Sequence, residues 1–148
     1  MYEILNHLYL SNYADTVQNV SSDFFVVNCT SNLPMVLPRG LHMSVNDDVH
    51  EESINTLSRA LPIIVEHIDI WINSGNDVLV YSDAGQQRSA TVLVAYLMYK
   101  TSMTIDQAIE CVKSKKPDVF SGGINFQDSL IEYEKYIANK NSAFQIID

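Results

Sequence analysis

One short stretch, VLVYSDAGQQRSA over residues 78–90, constrains this chain more than any other. Val78–Tyr81 is apolar and rich in β-branched residues, the pattern of a strand buried on both faces. Ser89 to about Lys100 is an apolar run with helical character, and Ser82 to Arg88 form a glycine-containing loop between the two. A buried strand that turns directly into a helix points successive backbone N–H groups at one spot. Such a nest binds a dianion without help from net charge. The candidate phosphate-binding residues are therefore Ser82, Asp83, Ala84, Gly85, Gln86, Gln87 and Arg88. Gly85 allows the tight turn, and Arg88 can add a bidentate fork to phosphate oxygens. No Gly-Lys-Ser/Thr follows, which excludes a nucleotide P-loop of the Walker kind.

The remaining chain supplies alternating strands and helices. His7–Leu10, Phe24–Thr30 and Leu41–Val45 read as strands. Asn12 is a candidate cap for a helix to about Val20. Ser53 to Asn73 has helical spacing, with Leu57, Leu61, Ile64, Ile68 and Trp71 near one face; Pro62 is expected to kink or interrupt it, and Gly75 to close it. Thr104 and Gln107 fit a capping box that opens a helix to about Lys115. Pro117 and Gly122-Gly123 mark a loop, and a last helix runs from about Phe126 to Asn139, with Leu130, Ile131, Tyr133, Tyr136 and Ile137 able to pack on the body. The final ten residues or so are expected to fray. This order predicts one α/β domain over residues 1–148, with its core in about 5–138 and a mostly parallel sheet flanked by helices.

Charge narrows the partners. The net charge is −9 with nine Lys plus Arg, which argues against nucleic acid and against anionic membrane surfaces. The N-terminal residues lack a basic region followed by a long apolar stretch, and no apolar run is long enough to span a bilayer. The expected address is cytoplasm, with nucleus as the alternative. Cys29 and Cys111 read as buried reduced thiols. His7, His42, His50 and His67 do not cluster in sequence, so neither a metal site nor any other cofactor is expected. Nothing in the sequence indicates an oligomeric state.

Several motifs, in order, resemble the dual-specificity family of cysteine-based protein phosphatases. Members often read VLVHCxAGxxRSAT, and this chain reads VLVYSDAGQQRSAT. HLYLS at 7–11, VNCTS at 27–31, VND at 45–47, AYLM at 95–98 and the helix from Phe126 to Glu134 resemble other motifs of that family, covering roughly residues 5 to 138. The resemblance implies the cysteine-based phosphatase fold. It places Ser82 at the nucleophile position and Asp47 at the general-acid position, with Asp48 as the alternative. Arg88 becomes the phosphate clamp, and Ser89 the hydroxyl that supports the departing thiolate in active members.

Two departures decide the functional expectation. Ser82 stands where the family has its nucleophilic cysteine, and Tyr81 where it has the preceding histidine. A serine hydroxyl is a weak nucleophile without a base, and no histidine remains in the motif. Tyr81 is expected to fill the core as a bulky strand residue. Asp83 carries the wrong sign for an anion loop, and Gly122-Gly123 replace the family's Pro-Asn pattern, which predicts a looser loop.

The leading expectation is a pseudophosphatase similar to the serine/threonine/tyrosine-interacting group. It would bind phosphorylated Ser, Thr or Tyr on proteins as a scaffold or competitor in signalling. A mitogen-activated kinase pathway member is a family-level partner. Two alternatives stand beside it. One is an active dual-specificity phosphatase carrying a Cys-to-Ser trapping change at Ser82; the other is an interaction module that binds no phosphate.

Overall fold

The computed structural model describes residues 1–147, with side chains through Asn141. The last helix, expected to end near Asn139, continues to Ile147, so of the ten residues expected to fray only residue 148 lies outside the described backbone. The elements are β1 (Tyr2–Leu5), β2 (Leu8–Asn12), α1 (Tyr13–Asn19), β3 (Phe25–Asn28), β4 (Gly40–His42), α2 (Glu51–Asn73), β5 (Val78–Ser82), α3 (Arg88–Thr101), α4 (Ile105–Lys115) and α5 (Gln127–Ile147). The sheet order is β1-β2-β5-β3-β4. All neighbours pair in parallel except β1 and β2, which form an antiparallel edge. The expected α/β class with a mostly parallel sheet is what the chain adopts.

Every residue of the central strand β5 is buried, which explains its uninterrupted apolar run. Its side chains alternate between two cores. Val78 and Val80 join the large cluster built with α2, α3, α4 and α5. Leu79 and Tyr81 join a smaller cluster on the opposite face, under Tyr9, Tyr13, Met35, Val36 and Leu37. Because β2, β3 and β5 are parallel, Asn12, Asn28 and Ser82 end at the same edge. That carboxyl edge is where open α/β sheets place their binding sites.

Three further features differ from the sequence expectation. The strand β1 was not expected; it is an edge whose pairing depends on β2, and of its four residues only Ile4 is buried, so it carries little pattern of its own. Pro62 does not interrupt α2, which is continuous from Glu51 to Asn73. Burial of Leu61, Ile64 and Val65 on either side holds the turn that lacks one backbone bond. The expected strand Leu41–Val45 shrinks to Gly40–His42, because the chain beyond it leaves the sheet edge for the segment that carries Asp47. The Thr104 and Gln107 capping box is present in both directions.

Candidate functional site

The loop Ser82 to Arg88 leaves the end of β5 and is held from outside. Tyr13 N–H donates to the Asp83 carbonyl (3.2 Å), and Phe120 N–H to the Gln86 carbonyl (3.0 Å). Gln86 Nε2 donates to Asp118 (3.0 Å). Gln87 is tied twice: its Nε2 donates to the Gly123 carbonyl (2.9 Å), and its Oε1 accepts from Asn125 N–H (3.1 Å). The glycine loop expected to be loose is thus pinned to the candidate site. Gly85 has φ of +69°, and a Cβ there would lie 2.9 Å from the Ser11 carbonyl oxygen, so the turn requires glycine.

The Asp83 and Gln86 carbonyls and the two glutamine side chains are engaged outward, whereas the loop's own backbone N–H groups are left open. Among the described residues, no protein acceptor takes the backbone N–H of Asp83, Ala84, Gly85, Gln86 or Gln87. Gly85 and Gln87 in this run are buried, where unpaired N–H groups are rare in proteins, so the run is disposed to receive an anion.

Arg88 begins α3 and is only 7% exposed. Its Nη1 donates to the Val45 carbonyl at 3.0 Å, which fixes the guanidinium against the segment that carries Asp47. Among the described residues, Arg88 Nε is the buried side-chain nitrogen or oxygen without a hydrogen-bond partner. An open donor on a buried cation is a costly arrangement unless a ligand completes it.

Ser82 and Ser89 are both buried, and their hydroxyls lie 2.6 Å apart. Neither is a base toward the other. Asp47 is exposed and accepts from Asn125 Nδ2 at 2.8 Å, which joins it to the Gln87 network. Asp48 is turned away into a local turn: His50 N–H donates to it at 3.0 Å. The Ser53 hydroxyl, with that backbone bond, holds its carboxyl below the usual range. The two adjacent aspartates therefore divide their roles: Asp48 forms the turn and Asp47 is linked to the loop. Asp83 is exposed.

Tyr81 fills the small core, as expected, and does more. Its hydroxyl accepts from Val36 N–H (3.1 Å) and donates to the Pro34 carbonyl (3.2 Å), so it fastens the segment between β3 and β4. Cys29 offers no substitute nucleophile. It is fully buried, and burial pushes its thiol up to about 12 despite the opposing charge of Arg88. Cys111 is a free thiol at the margin of the large core. Among the described residues, no group of three His, Cys, Asp or Glu side chains could hold a metal ion, and no helix is long and apolar enough to cross a membrane.

The sequence reading named the loop, Asp47, Arg88 and Ser89, and the fold gathers them. It missed Asn125 and Asp118, which anchor Asp47 and Gln86. Asn125 stands immediately before Phe126, where the sequence predicts the last helix to begin and a polar residue reads first as a cap; only the tertiary contact reveals its partner Asp47.

The geometry agrees with the comparisons. The family model "Dual specificity phosphatase, catalytic domain" matches residues 8–136. Human dual specificity protein phosphatase 9 is 33% identical over 144 residues, covering 90% of this chain and 36% of that protein. Human dual specificity protein phosphatase 16 is 34% identical over 123 residues, covering 80% of this chain and 18% of that protein. This chain thus spans about a third or less of those relatives. Among solved structures, human DUSP28 superposes with a TM-score of 0.80 at 25% identity, over 93% of this chain and 94% of that one. The human tyrosine phosphatase-like serine/threonine/tyrosine-interacting protein superposes with a TM-score of 0.73 at 26% identity, over 92% and 96%.

Proposed function

Because this chain belongs to the dual-specificity phosphatase family, we propose that it holds phosphorylated Ser, Thr or Tyr of partner proteins in the loop Ser82 to Arg88 without hydrolysing them. The observation that carries the reading is the pairing of an open Arg88 Nε with a hydroxyl, rather than a thiol, at position 82. The loop amides and the guanidinium supply donors for a phosphoryl group. Ser82 supplies no attacking atom of comparable strength. A thiol near pKa 8.5 is brought to the thiolate by a nest of this kind; a hydroxyl needs an adjacent base. Its hydrogen-bond partner is the Ser89 hydroxyl, and the preceding side chain, Tyr81, is committed to the other face of the sheet.

The protein would then act as a scaffold or competitor for phosphoproteins, for instance on a mitogen-activated kinase pathway, in cytoplasm or nucleus. The likeness to a human tyrosine phosphatase-like interacting protein supports this reading. The curated relatives, which carry phosphatase names, favour an active enzyme if Ser82 were competent or stood in for a cysteine.

Turnover of an aryl phosphate separates the two. The chain as written should release no phosphate above background, and Ser82→Cys should raise turnover by on the order of 10²-fold or more, since Arg88, Ser89 and Asp47 stay in place. Steady turnover that vanishes in Ser82→Ala would overturn the proposal. Tyr81→His should be left out of the first test, because Tyr81 also fastens the Pro34–Val36 segment.

A further inference from the structure

The charged rim of the loop has the same sign as the phosphate the loop would hold. Arg88 is the buried cation within the loop, and it lies against Val45, two residues before Asp47. The charged side chains tied to the loop are acidic. Asp83 is exposed within it. Asp47 is exposed and linked through Asn125 to Gln87. Asp118 accepts from Gln86 and is half exposed, at 52%. Its partner Lys116 has a side chain only 4% exposed, so that cation balances Asp118 and presents little charge outward.

Of the remaining cations, Lys100 and Arg39 are held away from the loop. Lys113 and Lys115 lie on the last turn of α4. Lys100 ends α3 and pairs with Asp69, roughly 20 Å of helix away from Arg88. Arg39 stacks on Phe25, at the start of β3 and thus at the opposite edge of the sheet.

A dianion alone would meet a repulsive rim before reaching its donors. A phosphorylated residue flanked by cations would meet an attractive one, with its phosphoryl group completing Arg88 Nε. We infer that the ligand is a phosphorylated peptide segment with Lys or Arg beside the phosphoresidue, read by Asp47 and Asp83 while Arg88 takes the phosphate. This rests on the phosphate-holding reading above and names the class of ligand for that same loop.

The test is a binding titration of the full chain with three phosphotyrosyl peptides that differ only in flanking Arg, Ala or Glu. The Arg-flanked peptide should bind roughly five- to tenfold tighter than the Glu-flanked one near 20 mM salt, with the ratio falling toward one near 0.5 M. Net charge alone would also favour cationic peptides, so two charge-matched variants decide the matter. Asp47→Asn with Asp83→Asn should cut the ratio to about twofold or less. Glu66→Gln with Asp106→Asn, both exposed and on parts of α2 and α4 remote from the loop, should leave it intact.

Equal binding of the three peptides, or equal ratios in the two variants, overturns this inference while leaving the phosphate-holding reading in place, provided binding is lost in Arg88→Ala. Binding that is absent, or unchanged in Arg88→Ala, overturns both.

Discussion

Two loops meet the end of β5, and they are finished differently. The segment from Thr30 to Arg39 is closed by side chains from within the fold: the Tyr81 hydroxyl serves Pro34 and Val36, and Asn28 and Thr30 serve the Leu33 backbone. The loop Ser82 to Arg88 is anchored from outside and leaves its own amides and Arg88 Nε open. Adjacent residues on one strand, Tyr81 and Ser82, face these two loops. The contrast teaches which of the two unusual residues belongs to packing and which to chemistry. Tyr81 is explained by the contacts it makes; Ser82, whose hydroxyl meets that of Ser89 at the base of the open loop, is where the proposed chemistry is decided.

The sharpest way to break this contrast is Arg88→Ala. Loss of the charged fork should weaken phosphate or phosphopeptide binding by about 2–3 kcal/mol, roughly 30- to 150-fold. Calorimetry would show it, and unchanged affinity would mean that the loop amides act alone or that nothing binds there. Next comes Gly85→Ala, which forces a side chain into a left-handed turn against the Ser11 carbonyl. A loss of about 2–3 kcal/mol in denaturant unfolding is expected, with ligand binding impaired as well.

Tyr81→Phe keeps the ring and removes two hydrogen bonds to the closed loop. It should cost about 1 kcal/mol of stability and leave phosphate affinity within about twofold. A large loss of affinity would show that the two loops are coupled.

The smallest effect is at Asp118. Burial pushes its carboxyl up, but hydrogen bonds from Lys116 and Gln86 outweigh that and leave it below the usual range. A carboxyl lowered on folding stabilises the protein above its unfolded value near 4, and the contribution fades as pH falls through the folded value. The acid limb of a stability–pH profile should therefore be shallower in Asp118→Asn. An identical limb would remove Asp118 from the loop's anchors.

Much of this was legible in the sequence because the informative features are local. The apolar run Val78–Tyr81, the glycine at 85 and the arginine at 88 each have one dominant physical reading, and helix α4 announces itself through Thr104 and Gln107. What escaped was set by distant partners. The edge strand β1 exists because β2 offers it a ladder. Pro62 is tolerated because its neighbours are buried. The different contacts of Asp47 and Asp48 depend on Asn125, nearly eighty residues further on, where no local pattern reaches.

A single NMR sample with phenyl phosphate bears most directly on the account. Amide signals from Gly85 to Ser89 should shift saturably, while the phosphorus spectrum shows no inorganic phosphate accumulating over days. Silent amides at millimolar ligand, or free phosphate whose release stops in Ser82→Ala, would contradict it.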